Sequence, residues 1–235
     1  EVLTGKYGDE GEMLLYRFRD NGDRDVALRY DLTVPLARVL AEHGNIGMPF
    51  RRYQIAPVWR AEKPARGRFR EFMQCDVDLI GVDSAAADAE MLVIGAAVMQ
   101  RFGIENYKLR INHRGVLSAL CRKVGLEGSA EGDFLRILDK LDKIGEEKFR
   151  QEVSGIPGLD ASGLDSVLAV VLDASSEPRE VLSQIEKNLG SDDLATAAIQ
   201  RMTEILDIVE AAGIGKYCQI DPAIARGLSY YTGLV

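Results

Sequence analysis

Residues 51–81 read RRYQIAPVWRAEKPARGRFREFMQCDVDLIG, and the second half of this stretch alternates so strictly that it separates two surfaces. Successive side chains of an extended strand point to opposite sides. Phe69, Met73, Cys75, Val77 and Leu79 therefore share one face, and Arg68, Arg70, Phe72, Gln74, Asp76 and Asp78 share the other. Glu71 apart, the first is expected to be a core face, with Cys75 an ordinary buried residue. The second mixes cations, carboxylates, an amide and one ring, which suits a polar site holding a zwitterion and a polyphosphate together. The solvated outer side of a one-sided antiparallel sheet would carry Arg68, Arg70, Asp76 and Asp78 equally well, although a ring among four charges needs an apolar partner.

Upstream, Asp25–Val34 (DVALRYDLTV) sets Val26, Leu28, Tyr30, Leu32 and Val34 against Asp25, Ala27, Arg29, Asp31 and Thr33, and reads as a second one-sided strand. Pro35 opens a helix through about His43, stopped by Gly44. A strand over Phe50–Glu62 follows. It puts Tyr53, Ile55, Pro57, Trp59 and Ala61 on one side and Gln54, Ala56, Val58, Arg60 and Glu62 on the other, and EKPARG closes a long antiparallel hairpin.

Downstream, Asp83 or Ser84 caps a helix to Phe102, with Gly103 past its end, and Tyr107–Asn112 reads as a strand. From about Ser118 to Ala212 helical patterns dominate: 134–144, 146–153, 164–172, 179–189 and 194–211. Strand character returns at Lys216–Ile220 and around Leu228–Val235. The expected organisation is an α+β sheet domain over 1–117, a helical insertion over 118–212 and the returning strands of the sheet domain over 213–235.

At 235 residues and 46% hydrophobic content the chain can bury a substantial core. No stretch approaches the ~18 consecutive apolar residues of a membrane span, so no membrane association is expected. The chain begins at Glu1 and ends in an apolar TGLV, which reads as a fragment of something longer. Cys75, Cys121 and Cys218 are too scattered for a disulfide framework, making the cytoplasm the default compartment. Two histidines leave little for a His-rich metal site. A net charge of −8 means that a nucleic-acid partner would need a local basic patch. Arg60, Lys63, Arg66, Arg68 and Arg70, against Glu62, provide one.

Three blocks in order carry a specific resemblance: LRYDLTVP (28–35), VWRAEKPARGRFREFMQCDVDLIG (58–81) and ARGLSYYTG (225–233). Together they resemble the histidyl-tRNA synthetases of class II, closest in style to eukaryotic-type sequences. The middle block resembles the class signature in which Arg-x-Glu, a loop and Arg-x-x-x-Phe frame ATP; the last resembles the signature of the histidine-specific enzymes.

The resemblance implies a class II antiparallel sheet flanked by helices and interrupted by an all-helical insertion. It also implies a homodimer, with histidine, ATP and tRNA(His) as partners. Mg2+ is expected to come with ATP, with no tightly bound cofactor and no separate metal site. Arg60 and Arg226 match the family's catalytic arginines. Glu62, Arg68 and Phe72 join Arg60 on the ATP side, Phe72 beneath the adenine. Asp31, Thr33 and Gln74 match the positions that receive the α-amino group, and Asp78 and Tyr231 those that bond the imidazole nitrogens. Arg60, Arg226 and Tyr230 complete the expected histidine site. Where the family carries Asp, this chain has Ser229.

Plainer roles compete at several positions. Thr33 could cap the helix that follows, and His113, at a strand-to-helix junction, fits capping or the surface better than catalysis. Two other functional classes share the outline: a synthetase-like regulatory subunit of histidine biosynthesis, which binds histidine without charging tRNA, and a tRNA-sensing pseudo-synthetase domain. Arg60, Arg68 and Phe72 favour the enzyme, because a regulator has little need of an ATP site.

Overall fold

The computed structural model describes residues 13–172, 177–225 and 232–235. The chain forms two compact units, Glu1–Asp83 and Ser84–Val235.

In the first unit, β1 (Arg17–Arg19) and β2 (Asp25–Ala27) make a short antiparallel hairpin. Its turn is closed by the Asp20 carboxylate, which accepts the backbone N–H groups of Gly22 and Arg24 and the Arg24 Nε–H. The expected strand over 25–34 is thus cut short: it ends at Ala27, and α1 (Thr33–Glu42) has begun by Thr33. Two local features override the alternation. The Val34 N–H donates to Asp31 Oδ1 at 3.2 Å, and Pro35 stands in the first turn, where no N–H is required. The helix-start contact therefore comes from Asp31, not from Thr33.

The long hairpin expected around EKPARG is present. β3 (Phe50–Trp59) and β4 (Glu71–Ile80) pair antiparallel along their whole length, from Phe50↔Ile80 to Trp59↔Glu71. Pairing continues through Arg60 N–H to the Arg70 carbonyl, and the tip closes on an Ala65–Arg68 bridge with Gly67 at φ 76°, a conformation glycine adopts without strain. Beyond Val58, β3 is flanked by the upstream chain, since Trp59 N–H donates to the Arg29 carbonyl and Ala61 N–H to that of Leu14.

Burial reverses the expected assignment of the hairpin's faces. Leu32, at the head of α1, is fully buried with Ala56 and Val58, and Phe72 packs against them; burying Leu32 contributes about 2 kcal/mol. That cluster lies on the polar-patterned face. The apolar face is the exposed one, with Tyr53 75%, Ile55 59% and Met73 62% accessible, and Cys75 is exposed rather than buried. The reason is packing: the first unit sets its own helix start on the Ala56/Val58 side, and the described residues provide no comparable cover for the other.

The second unit opens with α2 (Ala85–Arg101), capped by Ser84 Oγ accepting from Ala87 N–H. β5 (Leu109–Ile111) then runs parallel to β6 (Cys218–Ile220). Between them lie α3 (Arg114–Lys123), α4 (Ser129–Leu138), α5 (Leu141–Ile144), α6 (Glu146–Val153), α7 (Leu164–Val171), α8 (Pro178–Leu189) and α9 (Asp193–Ala211). The helix expected over 134–144 is two elements, broken after Leu138. One core runs through the unit, and α9 packs on α2, α3 and α8. At the α3–α9 contact a Cβ on Gly115 would lie 2.7 Å from the Leu194 carbonyl oxygen, so only glycine allows this approach. Among the described residues no helix is long and apolar enough to cross a membrane.

Candidate active site

The inward face of the β3–β4 hairpin is a graded surface, built by register. Four cross-strand pairs follow one another along it: Arg52↔Asp78, Gln54↔Asp76, Ala56↔Gln74 and Val58↔Phe72. Charge is thus concentrated at one end and apolar surface at the other. The gradient arises because the even-numbered residues of both strands point the same way in this register.

At the charged end Arg52 Nε lies 2.8 Å from Asp78 Oδ2, with only 11% and 23% of the two side chains exposed. The N–H is not aligned on that oxygen as a hydrogen bond, so the attraction is chiefly Coulombic. The rest of the Arg52 guanidinium is engaged, donating to Gln54 Oε1 at 2.6 Å and to the Leu32 carbonyl at 3.1 Å. Arg52 thereby ties β3 to the start of α1, where Asp31 is buried. Burial lifts the Asp76 carboxyl above the ordinary carboxylate range; Asp78 and Asp31 push it further up, while Arg52 and Arg60 oppose them. Four other charged groups thus act on Asp76.

Gln74 occupies the middle. Its Oε1 is buried with no hydrogen-bond partner among the described residues, an acceptor left open in a site otherwise rich in pairings. At the apolar end Arg60 lies against two rings: its guanidinium carbon is 4.6 Å from the centre of Tyr30 and 5.2 Å from that of Phe72. Arg60 Nε also donates to the Tyr30 carbonyl at 3.3 Å. Cation–π contact holds the guanidinium in place while leaving donors available to a ligand.

Of the expected residues, Asp31, Arg60, Phe72, Gln74 and Asp78 belong to this face and the α1 head beside it. Thr33 is exposed on the first turn of α1. Glu62 and Arg68 lie towards the hairpin tip, paired at 3.4 Å, with 71% of the Arg68 side chain in solvent; Arg70 Nε donates to the Glu62 carbonyl. Arg226, Tyr230 and Tyr231 lie outside the described residues. Arg52 and Tyr30 were not anticipated. Arg52 shares strand parity with Gln54, but its pairing with Asp78 emerges only from the register.

Known proteins match along the whole chain. The family model described as Histidyl-tRNA synthetase covers residues 1–235. This chain belongs to the histidyl-tRNA synthetase family. The histidine--tRNA ligase of Rhodopirellula baltica is 44% identical over 100% of this chain and 53% of its own length. That of Aeropyrum pernix is 38% identical, over 99% of this chain and 52% of its own. The crystal structure of histidyl-tRNA synthetase from a Nostoc species superposes with a TM-score of 0.86 at 30% identity, covering 100% of this chain and 53% of that one. A Bacillus halodurans protein titled an ATP phosphoribosyltransferase regulatory subunit/histidyl-tRNA synthetase shares the fold, with a TM-score of 0.82 at 24% identity over 95% of this chain and 56% of that one. The chain spans about half the length of the curated relatives it matches. The α+β class II fold is that of the family. The eukaryotic style expected of the motifs has no support in these relatives, which are bacterial and archaeal.

Proposed function

We propose that this chain supplies the catalytic core of a histidine--tRNA ligase. The enzyme would join histidine to ATP as histidyl-adenylate and then pass the histidyl group to the terminal ribose of tRNA(His). The observation that carries this reading is the graded β3–β4 face: fixed charge at one end, an open carboxamide oxygen in the middle, and an arginine held against rings at the other.

In the first step an oxygen of the histidine carboxylate attacks the α-phosphorus, a C–O–P linkage forms, and pyrophosphate leaves with its electron pair. The substrate is its own nucleophile, so the protein's task is orientation and charge compensation. Arg60 would hold the carboxylate and α-phosphate together, with Arg226 stabilising the charge that builds in the in-line transition state. Phe72 offers its face to the adenine, and Arg68, exposed near the tip, can reach the γ-phosphate. Glu62 would stand near the adenine or the tRNA end.

Gln74 Oε1 and the Asp31 carboxylate are acceptors suited to the α-ammonium group, with Thr33 beside them. Asp78, anchored by Arg52, would accept one imidazole N–H, while Tyr231, with Tyr230 next to it, would meet the other nitrogen. Divalent metal would neutralise the ATP phosphates. Mg2+ would arrive with its nucleotide.

The wider organisation follows the same reading: catalytic sheet over 1–117 and 213–235, helical insertion over 118–212, homodimeric assembly and a cytoplasmic setting. Histidine-dependent ATP–pyrophosphate exchange by the intact protein tests the reading. Exchange is expected. Histidine binding without exchange would favour the regulatory subunit or the tRNA sensor.

A further inference from the structure

Asp76 shares its face of β4 with Phe72, Gln74 and Asp78, yet it has no part in the proposed chemistry. It stands across the ladder from Gln54 and is half-buried. Among the described residues its carboxylate accepts no hydrogen bond and forms no ion pair. The two nearby arginines are committed elsewhere. Arg52 donates to Gln54 Oε1 and the Leu32 carbonyl and lies against Asp78, while Arg60 is held against the rings of Tyr30 and Phe72.

The charges around Asp76 do not cancel. Asp78 and Asp31 repel its ionised form and Arg52 and Arg60 attract it, and burial with the two carboxylates prevails, holding the Asp76 carboxyl above its ordinary range. Three carboxylates thus face two guanidinium groups, and Arg60 is drawn off further once a ligand carboxylate or phosphate takes its donors. A half-buried carboxylate without a partner costs the free protein stability, and a cation bound beside it recovers that cost.

An α-ammonium group is such a cation, with three N–H donors and no acceptor. Of the acceptors expected for it, Gln74 Oε1 is buried and open, and Asp31 is buried with Oδ1 already accepting Val34 N–H. Thr33 is exposed on the first turn of α1. Asp76 follows Gln74 on the same face, roughly 7 Å further along the strand, so a group lying over the strand between them meets both side chains.

We infer that Asp76 is a further specificity residue, a carboxylate that takes one N–H of the histidine α-ammonium group beside Gln74 and Asp31; this rests on the proposed histidine site. The Asp76→Asn variant keeps the size of the side chain and removes its charge. Three probes are titrated by calorimetry into the intact protein without ATP. Histidine carries every group, histidinol lacks the carboxylate, and imidazole-4-propionate lacks the ammonium.

Asp76→Asn is expected to weaken histidine and histidinol by roughly tenfold to a hundredfold and to leave imidazole-4-propionate within about threefold, since only a charge-assisted bond to the ammonium is lost. Equal weakening of all three would place Asp76 at the ring or in the fold and would overturn the inference, as would unchanged histidine binding. The urea midpoint of the ligand-free protein gives a second reading. It is expected to stay the same or rise in Asp76→Asn, because an unpaired carboxylate is gone, and a lower midpoint together with weaker binding would overturn the inference. A wild type that binds none of the three probes would overturn the histidine site and this residue's role with it. Binding without pyrophosphate exchange would instead count against the ligase reading alone and leave the comparison of probes to judge Asp76.

Discussion

Arg52 of β3 stands directly across from Asp78 of β4, 2.8 Å from Nε to Oδ2, and reaches the carbonyl of Leu32 at the head of α1 with the same guanidinium. One side chain thus locks a hairpin register and a helix start while compensating the carboxylate proposed to read the imidazole.

Removing that cation leaves a largely buried carboxylate without its partner. Arg52→Met is expected to destabilise the protein by about 3 kcal/mol, read as a lower urea midpoint with an unchanged slope. Asp78→Asn in the Arg52→Met background is expected to recover part of this loss, since the uncompensated charge is gone. In the intact protein the KM for histidine rises in both single variants, with a smaller change for ATP.

His113 caps α3 through Nδ1, which accepts Gly115 N–H at 3.0 Å, so the cap requires neutral imidazole. Burial holds its pKa below the ordinary range, with Asp88 opposing and Arg201 adding to the shift. A base with a depressed folded pKa contributes stability that is complete above the unfolded value of about 6.5 and is lost as pH falls through the folded one. His113→Asn keeps a capping acceptor that does not titrate. Its stability is expected to fall less than that of wild type as the pH drops through this acid window, by about 1 kcal/mol, in denaturation series at stepped pH.

Cys75 lies on the exposed apolar face, whereas Cys121 and Cys218 are buried. Burial pushes the Cys121 thiol up to about 12 and raises Cys218 as well. A native titration of the 235-residue chain with a thiol-disulfide reagent is expected to give one fast thiol, and all three after unfolding. Two or more fast thiols, or none, would contradict the face assignment. Slower labelling of Cys75 in the intact protein would place residues from outside 1–235 on that face.

Much of the hairpin was legible from residues 51–81 because strand side chains repeat every two residues and Gly67 marks the turn. Which face is covered was not legible. Alternation reports that two faces differ, and the apolar one is normally buried, but cover is decided by what packs there. In this chain Leu32 packs on Ala56 and Val58, beside the polar positions. The early end of the strand at Ala27 was hidden for a similar reason: the Asp31 contact to Val34 N–H and Pro35 in the first turn start a helix inside ten residues of alternating pattern.

Arg60, Phe72, Gln74 and Asp78 were legible through their motif. Arg52 was not, since its importance comes from facing Asp78 across a ladder whose register no local pattern states.

The central claim is that the Arg52–Phe72 face of the β3–β4 hairpin is one wall of the ligand site. A crystal structure of the intact protein with a non-hydrolysable histidyl-adenylate analogue tests it most directly. The account predicts Gln74 Oε1 and the Asp78 carboxylate within about 3.2 Å of ligand nitrogens, Arg60 on the phosphate and Phe72 against the adenine. An analogue bound away from this face, or with Gln74 and Asp78 out of reach, would contradict it.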